Sequence, residues 1–349
     1  METLHRLVAG EARSLPVADA SVQLVVTSPP YPMISMWDEG FCAVDPEIAP
    51  LLAAGRGFDA YERMHLQLDE AWAECVRALI PGGWIAVNVG DATRSIGGGF
   101  ALYPNHARIT MAMIKLGMTP MPDILWRKPT NAPNKFMGSG MLPAGAYVTY
   151  EHEYVGLYRK GASRPFSAAD AERRRESAFF WEERNRWFSD LWEGLPGERQ
   201  GLDRAERSRS AAFPVELPYR LIQMYSLQGD TVLDPFVGTG TTLSAAVASG
   251  RNSVGVERDA LLAGTLAASV ELGVRVGRER ATARRDAHRE FVAARLAAGK
   301  TIKHVHASGV AVMTGQEMGL RLRVPTSAAR ESSTIRVAYT DLELAGPGR

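Results

Sequence analysis

Short apolar segments recur along the chain, and each ends in turn-forming residues before a different spacing begins. Seven have the length and bounds of buried strands: Leu4–Ala9, Val22–Thr27, Trp84–Val89, Ile124–Trp126, Glu153–Tyr158, Thr231–Leu233 and Ser253–Glu257. Helical spacing is found at Tyr61–Ile80, which Pro81-Gly82-Gly83 should end, and at His106–Leu116, Pro214–Tyr225, Thr241–Ala248 and Ala260–Leu272. Strands that alternate with helices favour a mainly parallel sheet covered on both faces. The pattern predicts an α/β protein with a doubly wound sheet.

The composition fits a globular protein of about two domains. Hydrophobic residues make up 46% and charged residues 23%, which is enough apolar material for a core. No apolar run reaches the ~18 residues of a membrane span, and the first residues lack the apolar centre of an export signal. Cys42 and Cys75 are too few for a disulfide framework, so we expect a reducing cytoplasm. The seven histidines are scattered, and we predict no metal site.

The net charge of +1 does not by itself indicate a polyanionic partner, but basic residues are concentrated in two regions. Arg159–Arg209 combines arginines, among them Arg173, Arg174 and Arg175, with several tryptophans and phenylalanines. Arg275–Lys303 is a second basic run. Either region could be a solvated helix face or a nucleic-acid contact.

A glycine-rich turn follows one of the predicted strands, in the segment TVLDPFVGTGTT. Glycines at 238 and 240 would let the backbone approach a ligand, and the following helix would offer free N–H groups. The next strand ends in Glu257, where an acidic residue can bind a ribose diol. A dinucleotide fingerprint would need a third glycine where this chain has Leu243, and a purely structural turn is the other alternative.

Ser28-Pro29-Pro30-Tyr31 follows the strand Val22–Thr27, at the end where α/β proteins bind ligands. A simple turn with a packed tyrosine would also fit. The functional interpretation is that the Ser28 hydroxyl and the Pro29 carbonyl accept hydrogen bonds from an exocyclic amino group. Those acceptors would draw a weakly nucleophilic nitrogen toward tetrahedral geometry. The prolines would fix the backbone, and the Tyr31 ring would stack on a flipped-out base.

Both motifs resemble those of the DNA amino-methyltransferases. TSPPY is similar to their catalytic motif IV, and DPFVGTGTT is similar to their cofactor motif I. Further segments that resemble the family are LVAGEARSLP, LIPGGWIAVNVGD, ILWRKP, EHEYVGLYRK and FPVELPYRLIQMYSLQGDTVLDPF. The resemblance covers roughly residues 4–160 and 185–272. Gly10-Glu11 departs from the family's usual Gly-Asp, and the tail beyond about residue 273 resembles no segment of the family.

The resemblance implies a Rossmann-like methyltransferase fold in the circularly permuted β-type order, with the catalytic motif before the cofactor motif. It divides the chain into a catalytic half at 1–158, an inserted target-recognition region at 159–212, a cofactor half at 213–272 and an extension at 273–349. S-adenosylmethionine would be held by Asp234, Pro235, Phe236, Gly238, Gly240, Thr241, Thr242 and Glu257. The target base would be held by residues 28–31, and Arg173, Arg174 and Arg175 would contact DNA.

Serine at the first position of the tetrapeptide resembles the cytosine-N4 enzymes of the family, whereas adenine-N6 enzymes usually have Asp or Asn. The function implied is methylation of cytosine N4 in double-stranded DNA, in a restriction-modification system. Adenine N6 or RNA as the target is the alternative, and a non-catalytic DNA-binding subunit is a further one. The resemblance also implies a prokaryotic cytoplasmic protein at the nucleoid, with a homodimer and a cognate restriction endonuclease as possible partners and no membrane association.

Overall fold

A ten-stranded mixed sheet forms the centre of the protein. The structure is a computed structural model that describes residues 1–128, 137–138, 141–195, 213–259 and 265–345. Its strands are β1 Glu2–Ala9, β2 Val22–Thr27, β3 Leu79–Val89, β4 Ala92–Ile96, β5 Gly99–Tyr103, β6 Met118–Arg127, β7 Met137–Gly138, β8 Ala146–Tyr147, β9 His152–Lys160, β10 Leu191–Trp192, β11 Thr231–Asp234, β12 Asn252–Glu257, β13 His304–Val305, β14 Ala311–Val312, β15 Leu322–Glu331 and β16 Thr334–Leu342.

The order of strands across the sheet is β10-β6-β9-β3-β2-β11-β12-β1-β16-β15. The five strands β3, β2, β11, β12 and β1 are parallel, so their carboxyl ends meet at one edge. We call this the catalytic edge, because the predicted catalytic tetrapeptide follows one of these strands. Strands β9 and β16 run antiparallel to their neighbours. The pairing of β2 with β11 brings the two sequence motifs together, because Ser28 follows one strand and Pro235 the other.

Helices cover both faces of the sheet. They are α1 Asp38–Val44, α2 Ile48–Ala53, α3 Gly57–Ala78, α4 Asn105–Lys115, α5 Ala168–Glu176, α6 Trp181–Trp187, α7 Glu216–Tyr225, α8 Thr241–Ser249 and α9 Leu266–Ala297. Val25 of β2 packs on the face that carries α3 and α4, whereas its neighbours Leu24 and Val26 pack on the face that carries α7 and α8. Alternation along a strand thus divides the core into two layers, and the predicted doubly wound fold is confirmed.

The seven predicted strands are all present, and the bounds of several differ. Strand β3 begins at Leu79, before the glycines that were expected to separate helix from strand. Its pairing with β2 jumps from Val22 opposite Leu79 to Leu24 opposite Trp84, so the Pro-Gly-Gly segment forms a bulge. Gly82 has a φ of +76°, and a Cβ there would lie 2.4 Å from the Arg164 backbone nitrogen. The glycine therefore permits a close chain crossing inside the strand.

The predicted inserted region and the C-terminal tail both pack against the α/β core. Helix α6 pairs with α9 through Glu183 and Arg284, whose Oε1 and Nε atoms lie 2.6 Å apart. Residues 260–264 of the predicted helix Ala260–Leu272 lie outside the described residues. Helix α9 ends later than predicted and runs through the predicted boundary at residue 272. Strands β15 and β16 extend the sheet beyond β1. No helix in the described ranges is long and apolar enough to cross a membrane.

Candidate active site

A buried carboxylate links the two motifs at the catalytic edge. Asp234, the last residue of β11, accepts hydrogen bonds of 2.6 Å from the hydroxyls of Thr27 and Thr242, one on each oxygen. The Phe236 N–H donates to the same carboxylate at 3.1 Å. Burial raises the pKa of Asp234 to about 6, although each of these donors lowers it. Asp234 and Thr242 were predicted to hold the cofactor; here both oxygens of the carboxylate join β2, β11 and α8 beneath the loop.

The glycine-rich loop lies above this carboxylate. Gly238 and Gly240 both have positive φ values, of +52° and +87°, which residues with a side chain rarely adopt. A Cβ on Gly240 would lie 2.0 Å from the Ser269 hydroxyl, so the loop packs directly on α9. A Cβ on Gly238 would meet nothing within 4 Å, so this part of the loop borders open space. Thr241 begins α8, whose amino end therefore also faces the loop.

Glu257 lies beside the loop at the end of β12. Its Oε2 accepts the Gly238 N–H at 2.9 Å, and its Oε1 accepts the Asp259 N–H at 2.9 Å. A carboxylate can accept about four hydrogen bonds, so both oxygens keep capacity for the two hydroxyls of a ribose. Phe236 is half-buried and packs edge-on against Trp72, with ring centroids 6.0 Å apart. Acceptors, an aromatic ring and an open glycine backbone fit the adenosine part of S-adenosylmethionine.

The tetrapeptide lies one strand away. Ser28 is half-buried, whereas Pro29 and Tyr31 are buried. The loop continues through Met33, which has a φ of +68°, and Asn105 holds it from α4. The Asn105 side-chain amide donates to the Pro32 carbonyl at 3.1 Å and to the Gly90 carbonyl at 3.0 Å. The loop that carries the tetrapeptide is therefore fixed to the end of β3.

The Tyr31 hydroxyl lies in a buried polar network that the sequence did not indicate. It lies 3.0 Å from the Ser28 hydroxyl, donates to the Glu153 carboxylate at 3.1 Å and accepts the Asn88 amide at 3.0 Å. Asn88 also donates to Glu153 at 2.6 Å. Burial and the Glu153 charge raise the pKa of Tyr31 well above its usual range, so it stays a neutral phenol. The Lys128 ammonium lies 2.5 Å from the other Glu153 oxygen.

Sequence reasoning found Ser28 and Tyr31 but missed Glu153, Asn88 and Lys128. Glu153 and Asn88 lie inside apolar strand patterns, which was the available signal, because a polar residue at a buried strand position needs a partner. Their partner is on another element, and spacing along the chain does not reveal it.

Arg173, Arg174 and Arg175 lie away from the other predicted site residues. They belong to α5, and Arg173 pairs with Asp170 at 2.7 Å and with Asp230 at 3.4 Å. Asp230 immediately precedes β11, so α5 lies at the amino end of the parallel strands, opposite the catalytic edge. This placement does not support contact between the cluster and the target base, and DNA binding there stays a prediction.

A cleft of about 1230 Å³ also lies away from the motifs. Basic and aromatic side chains line much of it, including Arg159, Arg164, Arg174, Arg175, Trp181 and Phe188, and the tetrapeptide and Glu257 do not line it. This cleft and the predicted site residues at the catalytic edge are therefore separate. Among the described residues, no three His, Cys, Asp or Glu side chains lie close enough to hold a metal ion.

Comparison with known proteins points to the same chemistry. A family model described as DNA methylase, covering N6 and N4 methyltransferases, matches residues 22–263. The Type II methyltransferase M.MthZI from Methanothermobacter thermautotrophicus is 45% identical over 329 residues, which cover 93% of this chain and 92% of that protein. The Type II methyltransferase M.MjaI from Methanocaldococcus jannaschii is 48% identical over 269 residues, 74% of this chain and 88% of that protein.

Solved structures share the fold. TTHA0409 from Thermus thermophilus, described as a candidate DNA modification methylase and solved with S-adenosyl-L-methionine, matches with a TM-score of 0.59 and 34% identity. The match covers 76% of this chain and 96% of that one. The cytosine-N4-specific PvuII DNA methyltransferase has a TM-score of 0.51 at 18% identity, covering 79% of this chain and 93% of that one, which is a likeness of fold alone.

Proposed function

Because the chain belongs to the N6/N4 family of DNA methyltransferases, which use S-adenosylmethionine, we propose that it methylates N4 of a flipped-out cytosine in double-stranded DNA. The observation that carries the choice of base is Ser28. A neutral hydroxyl heads the tetrapeptide at the catalytic edge, where the adenine-N6 enzymes usually have Asp or Asn. Flipping brings the base out of the duplex, so that its amino group can reach this loop.

The residues of the site form two groups at adjacent strand ends, one for the base and one for the cofactor. The Ser28 hydroxyl and the Pro29 carbonyl accept the two amino hydrogens of the base, which directs the nitrogen lone pair toward the cofactor. The bound cofactor supplies a methyl group on a sulfonium. Glu257 and the Gly238–Gly240 turn hold its adenosine part beside the base, because Thr27 and Asp234 fix the two loops relative to each other. Positioning of the two reactants contributes much of the acceleration in such a displacement.

Adenine N6 remains the second candidate, since the relatives at 45% and 48% identity are named as Type II methyltransferases without a target base. A non-catalytic subunit is disfavoured, because the tetrapeptide and the loop are both intact and adjacent.

Mass spectrometry of nucleosides from DNA methylated by the protein tests the proposal. We expect N4-methylcytosine as the product; N6-methyladenine as the main product would overturn it. Ser28→Ala should reduce the methyl-transfer rate and leave cofactor affinity nearly unchanged. The matched control is Ser35→Ala, an exposed serine beyond the tetrapeptide, which should keep the wild-type rate. A fully active Ser28→Ala variant would contradict the assigned role of the hydroxyl.

We also propose a restriction-modification setting, because the two relatives are Type II methyltransferases. The expected partner is an endonuclease that cuts the same DNA site, and the expected location is the cytoplasm at the nucleoid. A homodimer is a further proposal, which sedimentation of the free protein would test.

A further inference from the structure

Two hydroxyls connect the proposed base site to a buried carboxylate. Ser28 Oγ lies 3.0 Å from the Tyr31 hydroxyl, which lies 3.1 Å from Glu153 Oε2. We propose that Glu153 is a positioning residue that sets the donor–acceptor direction of this series of hydrogen bonds. Through Tyr31 and Ser28, it also receives the proton that cytosine loses. The proposal rests on the proposed function, because it assigns a path to a proton of the methylated amino group.

The direction follows from which groups can donate. A carboxylate only accepts, so the Tyr31 hydrogen points to Glu153. Asn88 donates to the Tyr31 oxygen, and that oxygen can also accept the Ser28 hydrogen. The lone pairs of Ser28 are then left for the base. An oxygen that presents lone pairs suits an amino group, which donates, and repels a ring carbonyl, which accepts. Through the hydroxyls of Tyr31 and Ser28, Glu153 thus favours a base that presents an amino group to Ser28.

The same series of hydrogen bonds accepts the proton that the amino group loses after methyl transfer. When the methyl group joins nitrogen, the amine carries a positive charge and one hydrogen too many. That hydrogen passes to Ser28 Oγ as the Ser28 hydrogen passes to Tyr31 and the Tyr31 hydrogen passes to Glu153 Oε2. One N–H bond breaks, one carboxyl O–H bond forms, and both hydroxyls end neutral. Tyr31 never becomes an anion, as its buried position requires.

Lys128 holds the second oxygen of Glu153 at the solvent side. Its ammonium contacts Glu153 Oε1, and its side chain is 48% exposed, whereas that of Glu153 is 10% exposed. The carboxylate therefore faces the hydroxyls on one side and a partly solvated cation on the other. The nearby charged groups have other partners, since His106 pairs with Asp91 and Arg127 pairs with Glu151 and Glu193. Glu153 is the carboxylate that contacts Tyr31 in the described residues.

Glu153→Gln is the direct test, because it keeps the shape and reverses the polarity. Lys128 would hold the new carbonyl, so the amide NH₂ would replace the oxygen that accepts from Tyr31 and Asn88. It would donate to the Tyr31 oxygen, and the Asn88 amide would turn its unpartnered Oδ1 toward it. The Tyr31 hydrogen would then turn toward Ser28. In a single turnover on DNA with cofactor prebound, we expect methyl transfer to slow about 10²-fold, the scale for loss of a general base. Cofactor affinity and melting temperature should stay near wild type.

Two further variants make the result specific. Glu151→Gln removes a carboxylate two residues earlier, immediately before β9, and should leave the rate unchanged. Tyr31→Phe keeps the ring and removes the hydroxyl that links Ser28 to Glu153, so it should slow methyl transfer similarly. The double variant Tyr31→Phe/Glu153→Gln should be no slower than the worse single variant, because both break one path.

A folded Glu153→Gln enzyme with the wild-type single-turnover rate would overturn the inference. Additive losses in the double variant, accompanied by a lower melting temperature, would assign Glu153 a purely structural role and also overturn it. The proposed function fails separately, if the wild-type protein yields no N4-methylcytosine.

Discussion

Asp234 and Glu257 end neighbouring strands, yet their surroundings give them different parts. Asp234 is buried, and its oxygens are satisfied by Thr27, Thr242 and the Phe236 N–H. Glu257 is half-buried and has one backbone donor on each oxygen. The first carboxylate holds the loop in place, and the second has capacity for a ligand. Of these two carboxylates, we therefore expect Glu257 to contact the cofactor directly.

Glu257→Ala is expected to weaken S-adenosylmethionine binding by about 1.5–3 kcal/mol, the scale for hydrogen bonds to a charged group. The loss includes the support that Glu257 gives to the Gly238 N–H. Isothermal titration calorimetry measures the change. Glu271→Ala, at an exposed carboxylate on α9, is the control and should bind like wild type. Unchanged affinity in a folded Glu257→Ala protein would remove Glu257 from the cofactor site.

Two buried histidines should make the fold sensitive to acid. Burial lowers the pKa of His5 to about 3 and that of His65 to about 4, whereas the unfolded value is about 6.5. The unfolded chain therefore takes up protons first, and stability falls as pH drops below about 6.5. Asp234, with its pKa raised to about 6, acts in the opposite direction below that pH.

From pH 7 to pH 5 these three groups together should cost roughly 2–3 kcal/mol of unfolding free energy, taking about 1.4 kcal/mol for each unit of pKa shift, and the raised pKa of His288 acts against that loss. Urea denaturation at the two pH values measures it. His65→Gln should show a smaller loss, because one of the two titrating groups is gone. Equal or greater stability at pH 5 would contradict this account.

The sequence pattern predicted which residues follow the ends of strands. It did not predict which residues of different strands contact each other. Ser28, Tyr31, Gly238 and Glu257 follow apolar runs directly, so local pattern and general α/β geometry placed them at one edge. Glu153 joins Tyr31 only because β9 lies beside β3, on which Asn88 lies. That adjacency is set by tertiary packing and has no local signal.

At the level of elements, a hairpin beside the candidate active site exposes apolar side chains to solvent. Strands β4 and β5 follow the carboxyl end of β3, and Arg94 of β4 pairs with Asp38 at 2.7 Å, next to the tetrapeptide loop. Phe100 of β5 stacks on Tyr147 of β8, with ring centroids 4.7 Å apart. The two residues are 39% and 51% exposed. This aromatic pair lies at the catalytic edge, whereas α5 lies at the opposite end.

We therefore expect DNA to contact the aromatic pair. Phe100→Ala/Tyr147→Ala should weaken DNA binding by about 1–3 kcal/mol, the scale for loss of stacking on a base. Arg174→Glu/Arg175→Glu is the comparison, and Arg173 is left intact because it pairs with Asp230. Fluorescence anisotropy with target duplex reports both. If the arginine variant alone loses affinity, DNA crosses α5, as the sequence suggested.

Element bounds were predicted well where periodicity is strong and poorly where chain crossings intervene. The strand Val22–Thr27 was predicted without error, and His106–Leu116 differs from α4 by one residue at each end. Strand β3 passes through Pro81-Gly82-Gly83 because the bulge accommodates the Arg164 backbone, a contact that no local pattern records. Residues 196–212 of the predicted recognition region lie outside the described residues.

For the whole molecule, the tail completes the sheet. Strand β16 pairs with β1 from Glu2 opposite Ala338 to Arg6 opposite Thr334, and β15 pairs with β16. Tyr339 is buried, and its hydroxyl donates to the Val247 carbonyl at 2.8 Å. Without this hairpin, β1 would be an open edge strand over an exposed apolar patch. The sequence could not assign the tail, because edge pairing depends on where β1 lies in the sheet.

Removal of the chain after residue 300 should therefore destabilise the entire protein. Val337, Ile335 and Tyr339 are buried, and burial of each such side chain is worth about 1.5–3 kcal/mol, so the loss approaches the total stability of a typical domain. Val337→Asp should act in the same direction, whereas Ala328→Asp on the exposed part of β15 should be tolerated. Thermal melting and solubility distinguish the variants. A truncated protein with an unchanged melting temperature would make the tail an independent appendage.

The contact of Thr27 with Asp234 also has a consequence for how the protein is made. A ribosome adding about 5–20 residues each second completes the tetrapeptide roughly ten to forty seconds before it reaches Thr242. During that interval β2 has no neighbour on its β11 side, and the nascent chain carries an unpaired strand edge. Biosynthesis thus leaves the β11 side of β2 exposed until residues 231–234 emerge. Messenger truncations between the motifs would give a product prone to aggregation, with no residual activity.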